Sequence, residues 1–280
     1  TLAEWMIYGE TEADAWSMDI ARYGKFASNK DYIKQTTGQF YSRRFVMSYP
    51  NEQLPAGRDI KRTGVYDAQK SDGAIFGNSW GLEVPLVFGS KNFVEEPSLR
   101  RSNAFDFVKK EHLAVRENVG ILDSSGFSRF EIKGKGSTQW LNQLFSTDLP
   151  NQNKVKLAVM LGHDGRLKGD LTCFNWGEDH YWVMGSYYLR EWHLRWFHDH
   201  LPGGEKALET DGEVFLTDIS DNIGGYAVSG PNARALLQNL TDQDIANDNF
   251  RFMSCQEIDI GLIRARVGRL SVAGELGFEI

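Results

Sequence analysis

The sequence predicts an α+β fold in which mostly antiparallel strands alternate with helices, and three observations carry that reading. Runs of helical period cover residues 30–45, 106–118, 137–144 and 189–200, each closed by glycine, proline or a change of pattern. Two apolar runs, 155–161 and 167–176, flank His163-Asp164-Gly165, a hairpin signal that joins neighbouring strands directly rather than through a helix. Hydrophobic residues make up 41% of the 280, enough to bury a sizeable core, with no bias toward disorder.

In chain order, residues 1–54 are helical in character, with one run over 12–22 that spaces Ala13, Trp16, Ile20 and Tyr23, and a second over 30–45. Tyr49-Pro50 and Leu54-Pro55-Ala56-Gly57 break that pattern, and a loop is expected through Pro85. A helix over 106–118 ends at Gly120-Ile121-Leu122-Asp123. Alternation over 127–132 marks a strand, and a turn at 133–136 leads into a helix over 137–144 with Ser137 as its candidate N-cap. After the hairpin come a strand over 180–184, a helix over 189–200 stopped by Pro202-Gly203-Gly204, and a strand at 227–229. A helix over 231–239 places Pro231 at its first position, and two strands fill 258–272. The texture of the chain changes from Phe105 onward.

The formal net charge of −7 opposes duplex nucleic acid, which demands clustered cations to displace counterions, and the basic residues occur only as isolated pairs. No apolar run approaches a membrane span. Two cysteines, Cys173 and Cys255, form neither a zinc signature nor a disulfide framework and read as thiols of a reducing compartment. His193, His198 and His200 share one helix, but their spacing does not gather them on one face, so no metal site is expected and the helix reads as solvated or partner-facing. Lys133-Gly134-Lys135-Gly136 lacks the third glycine of a phosphate loop, and no Gly-x-Gly-x-x-Gly fingerprint follows a strand. Eight tryptophans point to walls built of flat rings.

Four stretches in order resemble the aminomethyltransferase (glycine-cleavage T-protein) family. They are residues 111–131, the hairpin Met160-Leu161-Gly162-His163-Asp164-Gly165-Arg166-Leu167-Lys168-Gly169-Asp170, the run Val228-Ser229-Gly230-Pro231-Asn232-Ala233, and Gly274-Glu275-Leu276-Gly277-Phe278-Glu279. Upstream, Pro55-Ala56-Gly57-Arg58, Gly73-Ala74-Ile75-Phe76-Gly77 and Trp80-Gly81-Leu82-Glu83 resemble the joint between the flavin and folate parts of dimethylglycine and sarcosine dehydrogenases, and Tyr187, Glu191, Trp192, Leu194 and Trp196 resemble the dehydrogenase branch rather than free-standing T-proteins. The resemblance implies the family's folate-binding fold in a second domain, 91–280, preceded by a helical linker segment, 1–90, and a fragment whose FAD-binding part lies outside this chain. It implies tetrahydrofolate as cofactor, FAD in the absent N-terminal part, and an N-methylated glycine as small-molecule substrate. The product would be 5,10-methylenetetrahydrofolate, and the setting the mitochondrial matrix or a bacterial cytoplasm. A stand-alone folate-dependent aminomethyl- or methyltransferase and a non-catalytic folate-binding factor are the alternatives. Residues 1–90 oppose the first, and the lack of cysteine over 264–274 opposes the second.

The resemblance also assigns residues. Asp170 is the candidate catalytic carboxylate, orienting a folate nitrogen and stabilising a cationic iminium; an aspartate beside a glycine turn equally serves to bond turn amides. Glu275 is the candidate for a two-pronged grip on the pterin edge, and Gly277 would allow close backbone approach beside Leu276. Leu157 to Met160 would supply apolar contacts along the folate, or simple core packing. One position departs from the family: Val272 stands where a tyrosine is usual, two residues before Gly274-Glu275.

Overall fold

The computed structural model describes residues 1–9, 11 and 15–280. Two five-stranded antiparallel sheets dominate it. Strands β1 (Ala74–Ser79) and β2 (Leu82–Phe88) form a separate hairpin. The first sheet runs β5 (Val155–Leu161), β6 (Leu167–Gly177), β7 (His180–Ser186), β4 (Phe127–Lys133) and β8 (Phe215–Asp218). The second runs β10 (Ser254–Ile260), β11 (Ile263–Arg269), β12 (Gly277–Glu279), β9 (Tyr226–Ser229) and β3 (Gly120–Asp123). Helices α1 (Leu2–Tyr8), α2 (Lys30–Ser42) and α3 (Tyr66–Ser71) precede the sheets, and α4 (Phe105–Glu117) leads into β3. The α+β expectation, with its antiparallel strands, holds.

Period-2 alternation decides where each side chain of the first sheet goes. Phe130, Ile132, Met160, Leu171, Cys173 and Val183 turn to one face, where they meet α5 (Ser137–Leu144) and α6 (Arg190–His200) through Trp140, Leu141, Leu144 and Phe197. The Trp140 indole is fully buried and donates to the His200 carbonyl at 2.8 Å. The second sheet packs Val228, Val267 and Phe278 against α7 (Ala233–Gln238) and Phe250. Between the sheets, Val155 and Phe174 of the first meet Cys255 of the second, with Trp182 and Leu270 beside them. Gly268 permits that approach, because a Cβ there would lie 2.7 Å from the Phe174 ring.

Several expectations give way to tertiary context. The segment read as a loop up to Pro85 is the β1–β2 hairpin, closed over two residues, Trp80 (φ 52°) and Gly81 (φ 86°), both left-handed as a tight hairpin of this twist requires. Asn78 Oδ1 accepts the Gly81 N–H at 3.0 Å, and Trp80 is held between Tyr23 and Tyr188. The run expected over 12–22 begins outside the described residues. Its remainder is two short 3-10 turns, separated by extended Asp19, whose carboxylate caps Ala21 at 2.8 Å. Ser137 is the first residue of α5 rather than its cap, and its buried hydroxyl has no partner among the described residues. Pro231 lies outside α7, which follows Asn232. The helix expected to be solvated, α6, is instead part of the core: His193, Phe197 and His200 are buried at i, i+4 and i+7.

Candidate functional site

The β5–β6 hairpin carries the strongest sequence candidate. Its turn is closed by Gly162 N–H to Arg166 O at 2.9 Å and Gly165 N–H to Gly162 O at 2.8 Å, with Gly165 left-handed at φ 74°. The aspartate that serves this turn is Asp164, whose Oδ1 accepts the Arg166 N–H at 3.0 Å. Asp170 takes no part in it. Its side chain is exposed and makes no hydrogen bond or ion pair among the described residues.

Alternation along β6 turns Gly169, Leu171 and Cys173 to the core and Asp170, Thr172 and Phe174 to the opposite face. The pairing of Val159 with Asp170, and of Leu157 with Thr172, puts those two apolar residues on the same open face. Leu157 is 65% exposed there. Register continues the row from Thr172 to Met184 on β7 and Arg129 on β4. Met160, by contrast, is fully buried on the reverse face against α5 and α6, so it backs β5 from within the core. The stretch from Leu157 to Met160 therefore divides by parity.

Glu275 stands on the other sheet, in the segment between β11 and β12. Arg116 of α4 donates to its Oε1 at 2.5 Å, which leaves Oε2 available; the glutamate is largely covered while the arginine is exposed. Leu276 packs onto the second core, its carbonyl accepts Gly230 N–H at 2.8 Å, and it borders an open groove of about 420 Å³ with Pro231, Arg234 and Gln238. Gly277 is buried at the start of β12, where a Cβ would lie 2.7 Å from the Leu270 carbonyl oxygen, so only glycine lets the two segments close. Val272 is exposed. No hydrogen bond or ion pair links Asp170 to Glu275 among the described residues.

Sequence reasoning assigned no role to three groups near this face, Arg129 and His193 buried and Glu279 half-buried. Arg129, 3% exposed, donates to the carbonyls of Ser124 at 2.9 Å and Phe127 at 3.2 Å. Burial pushes its guanidinium down, against the pull of Glu279 and Asp123. Glu279 accepts from the Ser124 hydroxyl at 3.3 Å, and burial pushes its carboxyl up despite that bond and Arg129. His193 lies behind Asp170, its imidazole pushed down to about 4 by burial although the Asp170 charge favours protonation. The strand alternation over 127–132 was the one available signal, since it separates Arg129 and Glu131 from the core-facing Phe130 and Ile132.

The arrangement offers a face of leucine, valine and threonine beside a carboxylate that no donor among the described residues occupies. Such a face suits a planar, partly apolar ligand presenting an N–H or a developing positive charge. Among the described residues no group of three or more His, Cys, Asp or Glu could hold a metal ion, and no helix is long and apolar enough to cross a membrane.

Comparison with known proteins matches residues 65–280 to the GCVT N-terminal domain and residues 8–63 to the FAD dependent oxidoreductase central domain. Mitochondrial dimethylglycine dehydrogenase of Mus musculus is 32% identical over 282 aligned residues, covering 100% of this chain and 32% of that protein. Mitochondrial sarcosine dehydrogenase of Homo sapiens is 26% identical, covering 100% of this chain and 34% of that protein. The chain thus spans about a third of the length of these relatives. The crystal structure of glycine cleavage system aminomethyltransferase T from Bartonella henselae shares the fold, with a TM-score of 0.61 at 19% identity over 79% of this chain and 53% of that one. The two family models meet between residues 63 and 65, ahead of the β1–β2 hairpin. This chain belongs to the GCVT N-terminal domain family, and its leading segment matches the central domain of FAD dependent oxidoreductases.

Proposed function

We propose that this chain is the tetrahydrofolate-binding, one-carbon-transfer module of an FAD-dependent N-methylglycine dehydrogenase, acting on dimethylglycine or sarcosine. The observation that carries the reading is Asp170, an exposed carboxylate without a partner among the described residues on strand β6, while Asp164 does the work of the turn. Support comes from the segment matched to the FAD dependent oxidoreductase central domain, which a stand-alone transferase has no reason to carry.

The residues present fit tetrahydrofolate. Glu275 keeps one oxygen beyond the Arg116 bond for the amino edge of a pterin, and Gly277 with Leu276 shapes the chain beside it. Leu157 and Val159 offer an apolar floor. When bound, tetrahydrofolate supplies the nucleophilic nitrogens that accept the one-carbon unit. Asp170 faces that site with a negative charge that stabilises a cationic iminium and a carboxylate positioned to hold or pass a proton. Oxidation of the N-methyl amine belongs to the FAD-binding part of the longer polypeptide that the reading requires. The two relatives are mitochondrial, which fits a matrix setting, with a bacterial cytoplasm as the equivalent.

The test is the fate of the methyl carbon in the full-length flavoenzyme. With Asp170→Asn, the ratio of 5,10-methylenetetrahydrofolate to free formaldehyde should fall by about a hundredfold, the scale of one removed electrostatic stabiliser. An unchanged ratio would remove Asp170 from the mechanism.

A further inference from the structure

His193 is 1% exposed, and neither Nδ1 nor Nε2 has a hydrogen-bond partner among the described residues. Buried polar atoms are nearly always satisfied, and an orphaned pair calls for a reason. Packing alone is a poor one, because a phenyl ring would fill a similar volume without unpaired nitrogens.

The ring occupies a prepared seat. Gly169 and Gly185 lie within β6 and β7, where glycine weakens a strand, and neither has a positive φ that would require it. Space explains both. A Cβ on Gly169 would lie 2.8 Å from Met160 Cε and 2.9 Å from His193 Nε2, and a Cβ on Gly185 would overlap Leu171 Cδ2 and lie 3.3 Å from His193 Nδ1, so the ring shares its seat with these two core side chains. Phe197, one helical turn on, closes the seat at a ring separation of 6.4 Å. The imidazole thus bears on the β6 backbone at the residue immediately before Asp170, from the face opposite the carboxylate. The two side chains lie on opposite faces of β6, His193 buried and Asp170 exposed.

Resting on the folate reading above, we propose that His193 is a positioning residue for one-carbon capture, acting through Gly169 and the electrostatics of the strand to hold Asp170 where capture needs it. The seat fixes the strand from behind, and the unpaired nitrogens let the imidazole respond to the Asp170 charge. Small misplacements of a catalytic group carry large penalties in rate, which gives such a backing residue its leverage.

Two measurements test this. In the full-length enzyme, His193→Phe should leave the tetrahydrofolate Kd within about twofold while the methylenetetrahydrofolate-to-formaldehyde ratio falls by about tenfold or more, a split that simple loss of folding would not produce. In the folded protein with His193 intact, Asp170→Asn should shift the ¹⁵N resonances of the His193 ring, a readout that does not depend on any variant at 193 folding. An unchanged ratio in His193→Phe beside a defective Asp170→Asn overturns the inference and leaves the folate reading standing, as does an unmoved ring resonance. Normal capture by Asp170→Asn removes Asp170 from the proposed mechanism and overturns the positioning role with it.

Discussion

Asp164 and Asp170 share one hairpin, and their surroundings divide the labour. The first bonds a turn amide; the second has no partner among the described residues and looks outward from a strand. Glu131 shows what occupancy does to a carboxylate. Burial raises its pKa, but bonds from Lys133, Trp182 and His180 outweigh that and hold it down to about 2, from an ordinary 4.5. The folded state therefore binds this proton less readily than the unfolded chain, so its contribution is present above about pH 4.5 and is lost as the pH falls toward 2. Urea midpoints measured at pH 5 and pH 3 should converge in Glu131→Gln relative to the native chain; an equal acid slope would contradict the assignment. Alternation made Glu131 legible as non-core, but nothing local announced its four partners, which come from β7, β11 and its own strand.

Elements with a strong period or a strong turn were readable: the β5–β6 hairpin, β4, α2, α4 and α6 lie close to where pattern places them. Strands β3, β8 and β12, of three or four residues each, were not, because so few positions hold no measurable alternation and pairing partners far along the chain define them. The β1–β2 hairpin was missed for a different reason. Trp80 is an unlikely left-handed residue and Pro85 an unlikely strand residue, and each is tolerated through contacts with distant chain: Tyr23 and Tyr188 around the indole, and an irregular register at Phe76 and Pro85. That hairpin also holds Glu83, 1% exposed, which accepts Arg58 Nε at 2.7 Å and Asp59 N–H at 3.0 Å. Glu83→Ala strands a guanidinium and should lower stability by about 3–5 kcal/mol. Arg62→Ala, which breaks an exposed pair with Asp59, should change it by about 0–1 kcal/mol. Denaturation midpoints for the two variants that coincide would refute this contrast.

Across the whole molecule, the Arg58–Glu83 pair and the Lys61 bonds to Tyr187 (2.6 Å) and Asp221 (2.9 Å) tie the segment matched to the oxidoreductase domain onto the segment matched to the GCVT domain. The two sheets meet at Phe174 and Cys255, and the first sheet's face stays open where Asp170 and Leu157 project. That half was marked in the sequence by family resemblance, and parity along β5 and β6 then divides its residues between the open face and the core. The half at Glu275 was legible only through family resemblance, since Arg116, its partner in space, lies 159 residues away in the chain.

The central claim, that Glu275 grips the folate while Asp170 acts on the transferred carbon, is most directly tested by calorimetry with tetrahydrofolate on the native protein, Glu275→Ala and Asp170→Asn. The account predicts that Glu275→Ala loses about 1.5–3 kcal/mol of binding, the worth of a charge-assisted hydrogen bond, while Asp170→Asn binds like the native protein. Equal binding by all three proteins would contradict it.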